Sequence, residues 1–303
     1  MKLVIKCGGH GDVDFDQVAL DVAAHVAAGD TVTLVHGGSA AIDAIGARLG
    51  IPGRRLHAPD GTETRYTDAE TLRSVRLALL GEVKPQLVVS LHKAHVRALS
   101  MSALDAGLVR ARRKGTVRAV VDGRRVVVRD NLAGRIEQVE ADVLAGIHDL
   151  GLVPVLSPPA LTVEGEVVNV DADRLAANVA SATDADRLIL LTSAPGLLSD
   201  PSDPSSCLSR LDAEALDGRG AIDGVLARGG MRMKLIAAGE AIAGGVPRVH
   251  ISDGRRPRPV QAALQGAGTV IECREGYAGP GIRNGLPGVA GSSRGAPGTR
   301  SAS

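Results

Sequence analysis

The sequence contains few aromatic residues, few cysteines and few lysines, and it has no long apolar run. Its 303 residues include two tyrosines, one phenylalanine and no tryptophan, so aliphatic side chains must form most of the core. The cysteines Cys7, Cys207 and Cys273 are widely spaced, which favours a reduced, cytoplasmic protein over a disulfide scaffold. No segment approaches the roughly 18 apolar residues of a membrane span, and MKLVIKCGGH predicts a first strand rather than a signal peptide.

A strong excess of either charge is also missing, since 35 basic and 34 acidic residues leave a formal net charge of +1. A dedicated nucleic-acid binder usually needs a strongly basic face, so this balance argues against that class. Residues 110–129 nevertheless hold eight basic residues and one acid, a local charge of +7. Such a segment is usually a solvated face, and the alternative is a surface that docks an acidic partner.

Short apolar runs alternate with amphipathic patterns along most of the chain, as in a parallel α/β sheet with crossover helices. The pattern predicts strands at Leu3–Lys6, Thr31–Val35, Leu152–Leu156, Leu188–Leu191 and Arg248–Ile251, and helices at Asp16–Ala28, Ser39–Leu49, Asp171–Ala182 and Met231–Ala243. Residues 116–121 and 124–129 flank the turn Asp122-Gly123, which predicts a β-hairpin. Beyond Cys273, glycine, proline and serine dominate, which predicts a disordered tail at 274–303.

Three glycine pairs indicate where an anion could bind. Lys6-Cys7-Gly8-Gly9 follows the first predicted strand, His36-Gly37-Gly38-Ser39 follows the second, and Gly229-Gly230 opens the helix that carries Lys234. Glycine lets backbone N–H groups approach an anion, and a helix start adds a positive dipole end. An ordinary strand-to-helix turn is the alternative for each pair, and none matches the Walker pattern. Two lysines beside such turns suit a transferring phosphoryl group.

A pair of acids precedes another predicted helix, in the segment Asn169-Val170-Asp171-Ala172-Asp173. Asp171 or Asp173 can be a helix N-cap, or a carboxylate that orients other groups or handles a metal or a proton. The eight histidines show no metal-ligand spacing, so we assign no metal site formed by the protein.

The order and spacing of these motifs resemble the amino acid kinase family, and within it the acetylglutamate kinase branch. The resemblance covers residues 1 to about 273 and rests on these motifs: Lys6-x-Gly8-Gly9, His36-Gly37-Gly38-Ser39, Arg65-Tyr66-Thr67-Asp68 with Glu70-Thr71-Leu72, Asn169-x-x-x-Asp173, Leu191-Thr192 with Pro195-Gly196-Leu197, Gly229-Gly230-Met231-x-x-Lys234, and Gly244-Gly245-Val246 leading to Asp253-Gly254-Arg255. Each motif is weak alone, but the set in this order is specific.

The resemblance implies transfer of the γ-phosphoryl group of Mg-ATP to a side-chain carboxylate. It implies a three-layer α/β sandwich with a mostly parallel eight-stranded central sheet, with the β-hairpin in addition. It also implies an N-terminal lobe (1–180) for the amino-acid substrate, a C-terminal lobe (181–273) for ATP, and a homodimer. The implied roles are Lys6, Asp173 and Lys234 in catalysis, Gly8, Gly9, Gly37, Gly38 and Ser39 in the phosphate and substrate loops, Arg65 and Asn169 in substrate binding, and Thr192, Pro195, Gly196, Leu197, Gly230 and Met231 in nucleotide binding.

A finer resemblance points to the carrier-protein-dependent kinases of this branch. These enzymes phosphorylate α-aminoadipate or glutamate joined to the C-terminal glutamate of a small acidic carrier, LysW. The resemblance rests on Arg112-Arg113-Lys114 with Val117-Arg118, on residues 154–161 (PVLSPPAL), on Glu164-Gly165-Glu166 and on Arg174. In this interpretation Arg112, Arg113, Lys114 and Arg118 dock the carrier.

Two alternatives stay open at this point: an N-acetylglutamate kinase, and a catalytically inactive relative that only binds nucleotide or a regulatory partner. His10 stands where a small serine or asparagine usually follows the two glycines of the first motif. Pro85 replaces part of a usual Asn-Lys pair and removes a backbone donor.

Overall fold

The computed structural model of the chain describes residues 1–9, 13–57, 63–121, 124–216, 220–222, 225–227 and 229–273. His10, the turn Asp122-Gly123 and the predicted tail at 274–303 lie outside the described residues. The strands are β1 (Lys2–Cys7), β2 (Thr31–His36), β3 (Arg55–His57), β4 (Glu63–Arg65), β5 (Ala98–Ser100), β6 (Val109–Arg113), β7 (Val117–Val121), β8 (Arg124–Val128), β9 (Gly134–Val139), β10 (Val153–Leu156), β11 (Ala160–Thr162), β12 (Val167–Val168), β13 (Arg187–Thr192), β14 (Arg210–Asp212), β15 (Ala221–Ile222), β16 (Val225–Leu226), β17 (Arg248–Asp253) and β18 (Thr269–Glu272). The α-helices are α1 (Phe15–Ala27), α2 (Ser39–Arg48), α3 (Ala69–Arg76), α4 (Lys84–Lys93), α5 (Ala141–Asp149), α6 (Ala172–Ala182), α7 (Gly229–Ala243) and α8 (Pro259–Leu264).

Eight strands form the central sheet in the order β14-β18-β17-β13-β1-β2-β10-β5. The six strands from β17 to β5 run parallel, whereas β18 pairs antiparallel with β17 and β14 follows the direction of β18. Leu3 and Ile5 of β1 pack with α1, α4 and α8, and Val4 between them packs on the other face with α5, α6 and α7. A parallel sheet covered on both faces explains why its strands are almost wholly apolar. The three-layer α/β fold is therefore confirmed.

The predicted hairpin is also confirmed, since β7 and β8 pair antiparallel from Val117↔Val128 to Val121↔Arg124. It belongs to a small sheet in the order β4-β3-β7-β8. A second small sheet has the order β12-β11-β6-β9, and its strand β9 contacts α6. These contacts bring β6 and β9 beside the helix that carries Asp173.

Pro85 lies in the first turn of α4, directly after a π-helical segment at Leu77–Val83. Proline inside an α-helix loses one backbone hydrogen bond and clashes with the carbonyl four residues earlier. A π-helical segment is a rare irregularity that interrupts the regular α-helical hydrogen bonding, and here it directly precedes the turn that holds Pro85. The departure from the family pattern at Pro85 is thus accommodated within a helix. Among the described helices, none combines the length and apolar character needed to cross a membrane.

Candidate active site

Two glycine loops meet at the carboxyl ends of β1 and β2. These strands pair in register from Lys2↔Thr31 to Cys7↔His36, so the two loops leave the sheet side by side. A Cβ atom added at Gly9 would lie 2.8 Å from Cα of Gly38, and one added at Gly38 would lie 2.8 Å from Cδ2 of Leu79. Glycine at position 9 therefore allows the close approach of the two loops, and glycine at position 38 leaves room for the side chain of Leu79.

The loops open into a cavity of about 530 Å³. Three helices begin at its wall: α2 at Ser39, α6 at Ala172 and α7 at Gly229. A helix N-terminus carries N–H groups without intrahelical partners and a partial positive charge. Three such termini on one cavity favour a ligand with several negative charges, such as a polyphosphate.

Lys6, Asp173 and Lys234 form a charged triad in the wall of this cavity. Nζ of Lys6 lies 2.9 Å from Oδ1 of Asp173, and Nζ of Lys234 donates a hydrogen bond to Oδ2 of Asp173 at 3.2 Å. Their side chains are no more than 10% exposed. Lys6 comes from β1, Asp173 from the first turn of α6 and Lys234 from the second turn of α7, so the fold joins three distant segments around one carboxylate.

Mutual attraction keeps the triad charged despite burial. Burial raises the pKa of Asp173, but Lys234 and Lys6 overcome this effect and bring the value to about 2. Burial lowers the pKa of Lys6, and Asp173 more than compensates, so the net shift is upward. For Lys234, burial outweighs the attraction of Asp173 and Lys6 adds repulsion, so its pKa is lowered. Two ammonium groups share one carboxylate, and an additional anion beside them would stabilise both.

The structure distinguishes the roles of Asp171 and Asp173, which the sequence alone leaves open. Asp171 is the N-cap of α6, where its Oδ1 accepts a hydrogen bond from the backbone N–H of Arg174 at 2.9 Å. Burial and the neighbouring charge of Asp173 raise the pKa of Asp171. Asp171 therefore caps the helix, while Asp173 holds the two lysines.

Arg65 and Asn169 line another part of the cavity. Arg65 forms an ion pair with Asp43 and donates to Oγ of Ser39 at 2.9 Å. Nδ2 of Asn169 donates to Oγ1 of Thr67 at 3.4 Å. Both side chains are fixed by protein partners and present polar donors to the cavity, an arrangement that suits a carboxylate ligand.

The residues predicted to bind nucleotide fall into two groups. Thr192 at the end of β13 and Gly230 in the first turn of α7 line the cavity. The described residues that line it do not include Pro195, Gly196, Leu197 or Met231. Leu197 is buried, and its backbone N–H donates to Oγ1 of Thr269 at 2.9 Å, which ties this segment to β18. A nucleotide role for the second group stays a prediction.

The arginines predicted to dock a carrier have acidic neighbours from other parts of the chain. Nε of Arg112 lies 2.8 Å from Oε1 of Glu137, and Nη1 of Arg113 lies 2.8 Å from Oε1 of Glu166. The side chain of Arg118 lies outside the described residues. The positive excess seen in this stretch of sequence is therefore partly balanced in the fold.

Several residues that line the cavity were not predicted to lie in the active site. Arg174 and Asn178 follow Asp171 by one and two helical turns, so the helical period alone places all three on one face of α6. Arg135 also lines the cavity. Its position depends on the pairing of β9 with β6, which no local sequence pattern predicts. Lys114, predicted to dock the carrier, lies in the cavity wall.

A protein-built metal site is not found within the described residues, which contain no group of three or more histidine, cysteine, aspartate or glutamate side chains able to hold an ion. Asp173 is occupied by two lysines, and Asp171 caps a helix. Mg²⁺ that accompanies ATP usually keeps several waters and substrate phosphate oxygens as ligands.

The amino acid kinase family matches residues 1–253, and the chain belongs to this family. The family expected from the sequence is thereby confirmed. Among solved structures, the chain matches that of smu.665 from Streptococcus mutans with a TM-score of 0.70 and 23% identity, over 90% of this chain and 99% of that one. At this identity the likeness concerns the fold alone.

Several relatives are more similar to this chain in sequence than smu.665 is. The chain is 37% identical over 269 residues to the LysW-aminoadipate kinase of Thermus thermophilus, covering 89% of this chain and 99% of the relative. It is 36% identical over 269 residues to the LysW-aminoadipate kinase of Deinococcus radiodurans, covering 89% of this chain and 91% of the relative. It is 33% identical over 279 residues to the acetylglutamate kinase of Pelotomaculum thermopropionicum, covering 89% of this chain and 91% of the relative. Both substrate types anticipated from the motifs occur among these relatives.

Proposed function

We propose that the protein is an ATP-dependent kinase that phosphorylates the side-chain carboxylate of α-aminoadipate or glutamate carried on a small acidic LysW-type protein. The observation that carries this proposal is the Lys6–Asp173–Lys234 triad beside two glycine loops and three helix N-termini. Phosphoryl transfer needs positioning and charge neutralisation more than covalent chemistry by the protein. The triad supplies two fixed cations where that charge develops.

In the proposed reaction a carboxylate oxygen of the acceptor attacks the γ-phosphorus of ATP. The new oxygen–phosphorus bond forms as the bond to the oxygen bridging the β- and γ-phosphates breaks, which gives an acyl phosphate and ADP. The acceptor carboxylate is already ionised near neutral pH, with an ordinary pKa of about 4.3 for glutamate, so no general base is required. Asp173 acts instead as the positioning residue of the two lysines. Bound Mg²⁺ would add charge neutralisation at the phosphates.

The site also suggests how the substrates divide. Gly230 and Lys234 on α7, with Thr192 on β13, belong to the predicted ATP lobe (181–273), and Arg65 and Asn169 belong to the predicted acceptor lobe (1–180). We propose that the carrier docks beside β6 through Arg112, Arg113, Lys114 and Arg118. A cytoplasmic homodimer completes the proposal, and the three free cysteines agree with a reducing compartment.

N-acetylglutamate kinase is the second candidate, favoured by relatives of that name at 33–37% identity. The two candidates separate in an assay that traps the acyl phosphate with hydroxylamine and measures the hydroxamate. We expect turnover of aminoadipate or glutamate attached to a LysW-type carrier, and little turnover of free N-acetylglutamate. Rapid turnover of N-acetylglutamate without a carrier would assign the second candidate. No turnover of any acceptor by a folded, ATP-binding protein would indicate an inactive relative.

A further inference from the structure

Two arginines on neighbouring strands lie together at the wall of the active-site cavity. In the antiparallel pair β3–β4, Arg55 lies directly opposite Arg65. Both side chains line the cavity, as does Ser39 at the start of α2. Like charges at directly opposed positions destabilise a sheet, so a counter-charge beside this pair stabilises it.

Asp43 of α2 supplies that counter-charge. Its Oδ1 forms an ion pair with Nη1 of Arg65, and its Oδ2 accepts a hydrogen bond from Nη2 of Arg55 at 3.0 Å. Burial raises the pKa of Asp43, but Arg65 and Arg55 outweigh burial, so the pKa is lowered and the carboxylate stays ionised. One carboxylate therefore holds two cations here, as Asp173 does in the triad.

Arg65 is held at two points by the same helix. Nη2 of Arg65 donates to Oγ of Ser39 at 2.9 Å, and Ser39 and Asp43 lie one helical turn apart on one face of α2. The side chain of Arg65 is only 8% exposed. A guanidinium group has five N–H donors, so contacts at two of its nitrogens leave donors for a ligand. Arg65 is thus fixed in place and still able to bind an anion in the cavity.

The helix that holds Arg65 also carries the second glycine loop. Gly37 and Gly38 directly precede α2, and both line the cavity. The contacts from α2 to Arg65 therefore fix the distance between a group suited to a carboxylate and a loop suited to phosphates. Strand β4 has three residues and lies at the edge of its small sheet, so α2 gives Arg65 support that the strand lacks.

We propose that Asp43 is a positioning residue for acceptor recognition, which acts through Arg65 and sets the place of Arg65 relative to the glycine loop before α2. This inference rests on the proposed function, in which Arg65 binds a carboxylate of the acceptor. Without the carboxylate of Asp43, Arg65 loses one of the two contacts that fix its guanidinium group. The acceptor then has to order this side chain on binding, which lowers its affinity and disturbs its alignment with ATP.

The test is a double-mutant cycle of Asp43→Asn, Arg65→Gln and the double variant. The acceptors are α-aminoadipate or glutamate attached to a LysW-type carrier, and N-acetylglutamate. The hydroxamate assay gives kcat and KM, and calorimetric titration with the non-hydrolysable ATP analogue AMP-PNP present gives the Kd of the acceptor. Glu63→Gln is the charge control, since Oε1 of Glu63 lies 3.8 Å from Nε of Arg55 and its described contacts do not include Arg65. Asp142→Asn, at an exposed position on α5 outside the cavity, is the second control.

We expect Asp43→Asn to raise the Kd and KM of the acceptor about tenfold, the range of one charge-assisted contact, and to lower kcat severalfold. The KM for ATP should not change. In the Arg65→Gln protein, Asp43→Asn should have little further effect, because the group through which Asp43 acts is missing. Glu63→Gln and Asp142→Asn should keep the acceptor KM of the unmodified protein.

Unchanged acceptor Kd and KM in a folded Asp43→Asn protein would overturn the inference, even if the acceptor is phosphorylated and the proposed function stands. Fully additive losses in the double variant would also overturn it, as would an equal loss in Glu63→Gln. Weaker acceptor binding in Asp43→Asn without phosphorylation by any of these proteins would support the inference while contradicting the proposed kinase activity. Thermal unfolding checks the fold of each variant, and Asp43→Ser repeats the test at this side chain, which is 41% exposed.

Discussion

Two groups of cations line the same cavity under contrasting conditions. Lys6 and Lys234 are buried around the carboxylate of Asp173, whereas Lys114 and Arg135 lie on an exposed wall and form no ion pair within the described residues. A buried cation is stable only with a fixed counter-charge, because desolvation penalises its charged form. An exposed cation can remain unpaired until a ligand arrives. The difference shows which cations the fold fixes with its own carboxylate and which it leaves without an ion pair.

Replacing Asp173 tests the buried group most severely. Asp173→Asn leaves two buried ammonium groups without their counter-charge, and we expect a loss of about 3 kcal/mol in the free energy of unfolding together with loss of kinase activity. Chemical denaturation and the hydroxamate assay measure the two effects. Asp171→Asn is the matched control, because asparagine can still cap α6. A stable, active Asp173→Asn protein would contradict the role assigned to the triad.

Removing either triad lysine should affect the reaction more than the fold. Lys6→Met or Lys234→Met removes a cation beside the transferring phosphoryl group, so we expect kcat to fall about 100-fold or more. Lys2→Met is a suitable control, since this lysine lies on the same strand as Lys6 but outside the cavity. Near-normal kcat in both triad variants would show that these lysines are structural. Lys114→Met, by contrast, should act mainly on KM.

The stability of the fold should also depend on pH through His36, which is buried at the end of β2. Burial, with help from Lys84 and Lys6, lowers the pKa of His36 from 6.5 to about 4. The unfolded chain therefore binds the proton first, and stability is lost as pH falls from about 6.5 to 4, by up to about 1.4 kcal/mol per pH unit. His36→Gln should reduce this slope in denaturation experiments, and His57→Gln, at an exposed position, should not. An unchanged slope in His36→Gln would assign the pH dependence to another group.

The smallest effect is expected at Arg112 on the exposed side. Its charge is offset by Glu137 and its side chain is 69% exposed. Exposed ion pairs contribute about 1 kcal/mol or less, so Arg112→Gln should raise KM for a carrier-bound acceptor about twofold and weaken its dependence on salt. If neither KM nor the salt dependence changes, Arg112 has no part in docking.

Much of the fold follows from local pattern. Every predicted helix and strand is present with its ends shifted by two residues or fewer, as in the helix predicted at Asp171–Ala182 and found at Ala172–Ala182. Helical and strand periods are local properties, and glycine and aspartate mark the ends of the elements. The pairing of Arg112 with Glu137 and of Arg113 with Glu166 was not predictable in this way. These ion pairs depend on strand register, which cannot be predicted from local patterns in a single sequence.

The sequence by itself determined the strands and helices that carry the main motifs, the glycine loops and the family to which the chain belongs. It also placed Lys6, Asp173 and Lys234 in motifs, but without showing that one carboxylate joins the two lysines. Only the tertiary structure decided that Asp171 caps α6 while Asp173 binds both lysines, and that Lys114 and Arg135 share a cavity wall and form no ion pair within the described residues. The reason is physical: burial and charge neutralisation depend on contacts between distant segments, and these contacts exist only after folding.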